Sequence, residues 1–148
     1  MRSLDNPLIL REIIMDHYEN PRNHGIKDDP AYIKTNMNSE TCIDNIDVEA
    51  KFNGDVIDDV RFDGEACAIS TASTSIMTEL VKGKTTEEAR DLMKNYMNMI
   101  FETDYDEDKL EEAIAFKNTH KQANRIKCAT IGWNALEKLL EEHEKEGK

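Results

Sequence analysis

The chain has 148 residues, enough for one domain with its own core, and sets 19 Lys and Arg against 31 Asp and Glu. A net charge of −12 without a basic stripe excludes nucleic-acid binding, since that affinity is mostly neutralisation of phosphates by cations. With 34% charged and 39% hydrophobic residues in periodic blocks, the composition is that of a soluble, folded chain.

The N-terminal stretch has only the short apolar run Leu8-Ile9-Leu10 before Arg11 and Glu12 interrupt it. That is too short for a signal peptide, and no window approaches a membrane span, so the expectation is a cytoplasmic chain folding as a single domain over residues 1–148. Residues 5–18 predict a helix, with Asp5 or Asn6 as cap, Pro7 in its first turn, and Leu10, Ile13, Ile14 and Tyr18 at helical spacing. Asn20 before Pro21 ends it, and a turn-rich loop follows through Gly25. Ile46, Val48, Ala50 and Phe52 alternate with polar residues, as do Val56, Val60 and Phe62 beyond Asn53-Gly54, which predicts a β-hairpin. A third strand is expected over residues 65–69. Ser70–Lys82 then reads as a helix, hydroxyl-rich at its start and ending at Gly83. Thr85 and Glu88 form a capping box for a helix to about residue 101, with Met93, Tyr96, Met97 and Ile100 on one face as core filling. Asp104–Asp108 is an acidic surface turn, residues 109–117 a short helix, and residues 124–145 a long one with Ala129, Trp133, Leu136, Leu139 and Leu140 facing inward. The fold class is therefore α+β, a three-stranded antiparallel sheet packed against helices.

Cys42, Cys67 and Cys128 are too far apart in sequence for any local zinc motif, and nothing in the chain argues for disulfides. Three inert, buried thiols is one reading. The other starts from Thr41-Cys42-Ile43-Asp44, where cysteine and aspartate at i and i+2 of extended backbone point to the same side. Cys67 stands where strand gives way to helix, and Cys128 stands near the start of the last helix, where the helix dipole favours a thiolate. Three thiolates and a carboxylate at element ends would make a tetrahedral zinc site at one end of the sheet.

Four segments carry a resemblance: Asp16-His17-Tyr18-Glu19-Asn20-Pro21-Arg22-Asn23, Thr41-Cys42-Ile43-Asp44, Phe62-Asp63-Gly64-Glu65-Ala66-Cys67-Ala68-Ile69-Ser70 and Arg125-Ile126-Lys127-Cys128-Ala129. Over about residues 8 to 141 the chain resembles the IscU/NifU-N proteins of iron–sulfur biogenesis, most closely the SufU branch. The family normally has glycine where Ile43 and Ala66 stand here, so the metal loop is expected to be stiffer. The resemblance implies a SufE/NifU-like fold and a metal site of Cys42, Asp44, Cys67 and Cys128.

Two functions compete within that family. A scaffold of the IscU type assembles a [2Fe–2S] cluster and hands it on. A SufU-like protein holds Zn²⁺ and relays persulfide sulfur from a SufS-like cysteine desulfurase to a downstream iron–sulfur assembly scaffold. Lys127 in place of the scaffolds' histidine, a longer span between Cys67 and Cys128, and no proline-rich segment at His120–Asn124 favour the second. The resemblance then implies that a histidine of the docked desulfurase replaces Cys42 on zinc, freeing Cys42 as sulfur acceptor. Arg125 and Lys127 either balance the charge of the centre or are ordinary helix-face cations. His17 and His24 read as docking or loop-packing residues, His120 as an outside candidate for the metal, and His143 as solvated. A zinc-stabilised binding module without transfer activity is the reading from another class.

Overall fold

The computed structural model describes residues 6–38 and 44–146, with the side chains of residues 120, 123, 124 and 146 outside the description. Helix α1 spans Pro7–Glu19. The Asn6 side chain caps it by accepting from the Leu8 N–H at 2.9 Å, and Pro7 occupies its first turn. Strands β1 (Tyr32–Asn38), β2 (Asn45–Asn53) and β3 (Val56–Glu65) follow, forming an antiparallel sheet in the order β1-β2-β3. Helices α2 (Ala68–Val81), α3 (Thr86–Ile100), α4 (Glu107–Leu110) and α5 (Ala123–Glu146) complete the α+β fold, with a 3₁₀ stretch over Glu111–Phe116. Among the described residues no helix is long and apolar enough to cross a membrane.

The hairpin, the capping box of α3 and the long last helix are where the residue pattern put them. The third strand is not. Of residues 65–69 only Glu65 lies in the sheet, as the end of β3, because Cys67 caps α2, which starts at Ala68. The strand that completes the sheet is β1, paired Ile33↔Ala50, Thr35↔Val48 and Met37↔Ile46. The hairpin tip also differs by one residue: Asn53 pairs with Val56, leaving Gly54-Asp55 as the loop. Of those two only Gly54 has positive φ, at 61°, the backbone a hairpin loop with glycine in first place adopts. The helix expected over 109–117 breaks at Glu111, whose φ of 46° is incompatible with a continuous right-handed helix.

One sheet face carries Ile46, Val48, Ala50, Val60 and Phe62, all buried, and packs on α2 and α5. The other carries Lys34, Asp47, Glu49, Lys51 and Arg61 and is polar. The outer edge of β3 is covered rather than open. Asn23–Gly25 pairs with Phe62 on one stretch, and Gly83–Thr86 bonds to Asp55 and Ile57 on another.

Helices α2 and α5 approach closely at Gly132, where a Cβ would lie 2.3 Å from Thr74 Oγ1. Beneath them Tyr96 of α3 stacks on Trp133, centroids 4.5 Å apart. The Ser73 hydroxyl and the Tyr96 hydroxyl both donate to the Ala129 carbonyl at 2.6 Å. Burial pushes the Tyr96 hydroxyl well above the ordinary tyrosine pKa, although Ser73 opposes the shift, so it remains a donor. These contacts fix α5 against α2 one residue beyond Cys128.

Candidate metal centre

Three side chains meet where β2 begins, β3 ends and α2 starts. Asp44 precedes β2 and is buried, Cys67 is half-buried at the N-cap of α2, and Cys128 of α5 is buried. A carboxylate oxygen of Asp44 and the two sulfurs all lie within 4.8 Å of one another. Gly64 makes this end of the sheet possible. Its φ is 128°, and a Cβ there would sit 2.3 Å from the Asn45 carbonyl, so only glycine lets β3 close on the start of β2 beside Asp44.

Short bonds hold the arrangement. Asp44 Oδ1 accepts from the Cys67 N–H at 2.8 Å, and Asp44 Oδ2 accepts from the Ser70 hydroxyl. Cys67 Sγ lies 3.9 Å from Asp44 Oδ2 and accepts from the Ser70 N–H at 3.4 Å. The thiol at a helix N-terminus is thus Cys67, whose sulfur caps α2 and sits at the positive end of its dipole. Cys128, assigned that place from sequence, falls in the second turn of α5, beyond its open N–H groups.

The donor set suits a metal. Tetrahedral zinc with thiolates at about 2.3 Å has ligand–ligand edges of about 3.8 Å. The Cys67–Asp44 separation of 3.9 Å is close to such an edge without rearrangement. Two soft thiolates with one hard carboxylate is a zinc-type set, and tetrahedral zinc would need a fourth ligand beside them. Cys42, the expected fourth ligand, lies outside the described residues together with Thr41 and Ile43. Ala66 is described, and it is absent from the non-glycine residues with positive φ, so alanine there costs no backbone strain.

The remaining candidates separate cleanly. Arg125 and Lys127 are exposed on α5. His17 is buried, with Nδ1 2.7 Å from Ser75 Oγ and Nε2 3.2 Å from Glu112, while the Arg22 N–H donates to the same Ser75 oxygen at 2.9 Å. The amino-terminal motif therefore knots α1 and its loop onto α2. His24 lies edge-on to Phe62 and 3.2 Å from Asp63. His143, expected to be solvated, is half-buried: it stacks on Phe52 at 4.0 Å and bonds to the Gly54 carbonyl at 2.7 Å. The His120 side chain lies outside the described residues.

Comparison with known proteins places this geometry. Residues 9–148 match the family model of the NifU-like N terminal domain. The chain belongs to that family. It is 42% identical over 137 residues to the zinc-dependent sulfurtransferase SufU of Bacillus subtilis (strain 168), covering 92% of each chain. It is 38% identical over 129 residues to the iron–sulfur cluster assembly scaffold protein IscU of Streptococcus pyogenes serotype M1, covering 86% of this chain and 80% of that one. Among solved structures it is similar to FiSufU of Fervidobacterium islandicum AW-1, provisionally assigned as an iron–sulfur cluster assembly scaffold protein for the SUF system. There the TM-score is 0.80 at 37% identity, over 91% of this chain and 98% of that one.

One residue of this NifU-like domain escaped the sequence reading as a site residue. Ser70 reads as one hydroxyl among many at the start of a helix, yet it alone contacts Asp44 from that helix in the bonds described. The available signal was its place three residues after Cys67, which puts it over the cap in the first turn.

Proposed function

We propose that this chain is a zinc-dependent sulfurtransferase of iron–sulfur cluster assembly, with Cys42 accepting persulfide sulfur from a cysteine desulfurase. The observation that carries the reading is the cluster of buried Asp44, half-buried Cys67 and buried Cys128 at one end of the sheet. Its likeness across nearly the whole chain to a protein named as a zinc-dependent sulfurtransferase supports it. Cys42, Asp44, Cys67 and Cys128 would hold the ion, which supplies charge neutralisation that keeps thiolates ionised without redox chemistry.

The transfer is a thiol–persulfide exchange. The Cys42 thiolate attacks the outer sulfur of the desulfurase persulfide, the S–S bond of that persulfide breaks, and the desulfurase cysteine leaves as thiolate. Cys42 then carries the persulfide, with no net oxidation or reduction. Asp44, Cys67 and Cys128 stay behind as anchors, with the Asp44 carboxylate held by the Cys67 N–H and the Ser70 hydroxyl. The sulfur is then passed to a downstream iron–sulfur assembly scaffold.

The likeness to IscU supports a second reading, in which the same residues hold a [2Fe–2S] cluster as cargo. Turnover separates the two. Sulfide release by a cysteine desulfurase fed cysteine should rise with the wild-type chain and stay basal with Cys42→Ala. Wild-type stimulation by Cys42→Ala, with a stable visible chromophore after iron and sulfide reconstitution, would favour the scaffold.

A further inference from the structure

We infer that Ser70 is the positioning residue of the metal centre, its hydroxyl fixing the Asp44 carboxylate in the orientation that ligates; this rests on the metal-binding reading above. Ser70 is wholly buried and Asp44 is 1% exposed, so neither has water as an alternative partner. The carboxylate is held at both ends, Oδ1 by the Cys67 N–H at 2.8 Å and Oδ2 by the Ser70 hydroxyl. The backbone donor is fixed by the chain. The side-chain donor is the part that sequence can change.

The Ser70 hydroxyl has a second acceptor within reach, Cys67 Sγ at 3.4 Å. It has a single proton and therefore serves one anion at a time, and the carboxylate oxygen, a stronger acceptor than sulfur, takes it. The Ser70 N–H meanwhile serves the sulfur at 3.4 Å. One residue thus places one donor on each of two ligands, and both donors sit in the first turn of α2, the helix that Cys67 caps. Without the hydroxyl, Asp44 Oδ2 is left buried with a lone pair unserved, and the carboxylate rotates about its Cβ–Cγ bond to seek another donor. Partners of metal ligands are worth about 10- to 100-fold in metal affinity when removed.

The test measures metal binding, not turnover. Zinc affinity is determined by chelator competition for wild type, Ser70→Ala, Asp44→Ala and the Ser70→Ala/Asp44→Ala double variant, and cobalt-loaded samples supply visible ligand-field spectra. Ser70→Ala should weaken zinc about 10- to 100-fold and shift the cobalt bands toward those of Asp44→Ala. The double variant should bind no more weakly than Asp44→Ala alone, because Ser70 acts through that carboxylate. If Ser70→Ala fails to fold, Ser70→Thr and Ser70→Val make the same comparison at equal volume, and only the hydroxyl-bearing one should retain affinity. Wild-type affinity in Ser70→Ala, or an additive loss in the double variant, would overturn the assignment while leaving the metal centre standing. A wild-type chain that takes up no zinc would instead sink the metal centre, and this role with it.

Discussion

The proposed function gives Asp44 and Cys67 a ligand role beside their structural bonds, and substitutions can separate the two. Asp44→Ala should keep zinc under excess metal but hold it more weakly, since the hard ligand goes and the thiolates remain. Cys128→Ala should lose metal outright at the same zinc concentration, and metal analysis after gel filtration reads both. Cys67 caps α2, its sulfur accepting from the Ser70 N–H, and in the proposed function it is a ligand as well. Cys67→Ala should therefore lose metal and also lower the melting temperature measured in chelator. Cys67→Ser should lose metal affinity while keeping the cap, because a serine oxygen caps well but is a poor zinc ligand. Equal melting temperatures for the two in chelator would refute the capping role. While Cys42 lies outside the described residues, the convergence of Asp44, Cys67 and Cys128 was legible because their segments resemble a family. Cys67 as cap and Ser70 as partner were not, because both depend on Asp44, more than twenty residues away in sequence, arriving at the start of α2.

Among the elements, the hairpin and the long helices were legible because their apolar residues repeat at one clear period. Strand β1 was not. Its core-facing positions are Ile33, Thr35 and Met37, of which only two are apolar, and they become a strand through pairing with β2. The misplaced strand over 65–69 has the same root, since Cys67 capping a helix looks from sequence like the end of a strand run. The packing of α2 on α5 is equally invisible, because it depends on Gly132 meeting Thr74 across the core. Gly132→Ala gains helix propensity of about 1 kcal/mol but forces a Cβ onto Thr74, an overpacking that costs about 1–3 kcal/mol. The net expectation is a destabilised protein, and since α5 carries Cys128, weaker zinc as well. Denaturant unfolding checks the first and chelator competition the second; an unchanged midpoint would show that the two helices separate freely. His143→Ala should loosen the hairpin tip, as it removes both the stack on Phe52 and the bond to Gly54, and should speed amide exchange there without touching metal affinity.

At the scale of the molecule, one polar clasp ties β1, β3 and the end of α2. The Tyr32 hydroxyl donates to Asp59 at 2.6 Å, and Lys82 lies 3.3 Å from the same carboxylate. Burial alone would raise the Asp59 carboxyl, but the bonds from Tyr32 and Lys82 outweigh it and hold it below the usual 3.8. Its contribution to stability is therefore complete above that usual value and is lost as pH falls through the lower folded one. Burial, followed by the bond to Asp59, pushes Tyr32 up to about 12, so its contribution is complete below its usual 10 and is lost as pH rises toward 12. Asp59→Asn should lower the melting temperature near neutral pH and lose that deficit in strong acid. A deficit constant with pH would contradict the clasp. The net charge of −12 says nothing of where charge is used, for the carboxylates of Asp44 and Glu49 are both buried. Whether sulfur lands on Cys42 is read from the mass of the Cys42 peptide after incubation with a cysteine desulfurase and cysteine. The expectation is one added sulfur atom on that peptide, removable by a thiol reductant and absent from the Cys67 and Cys128 peptides. A Cys42 peptide that stays unmodified while the desulfurase turns over would contradict it.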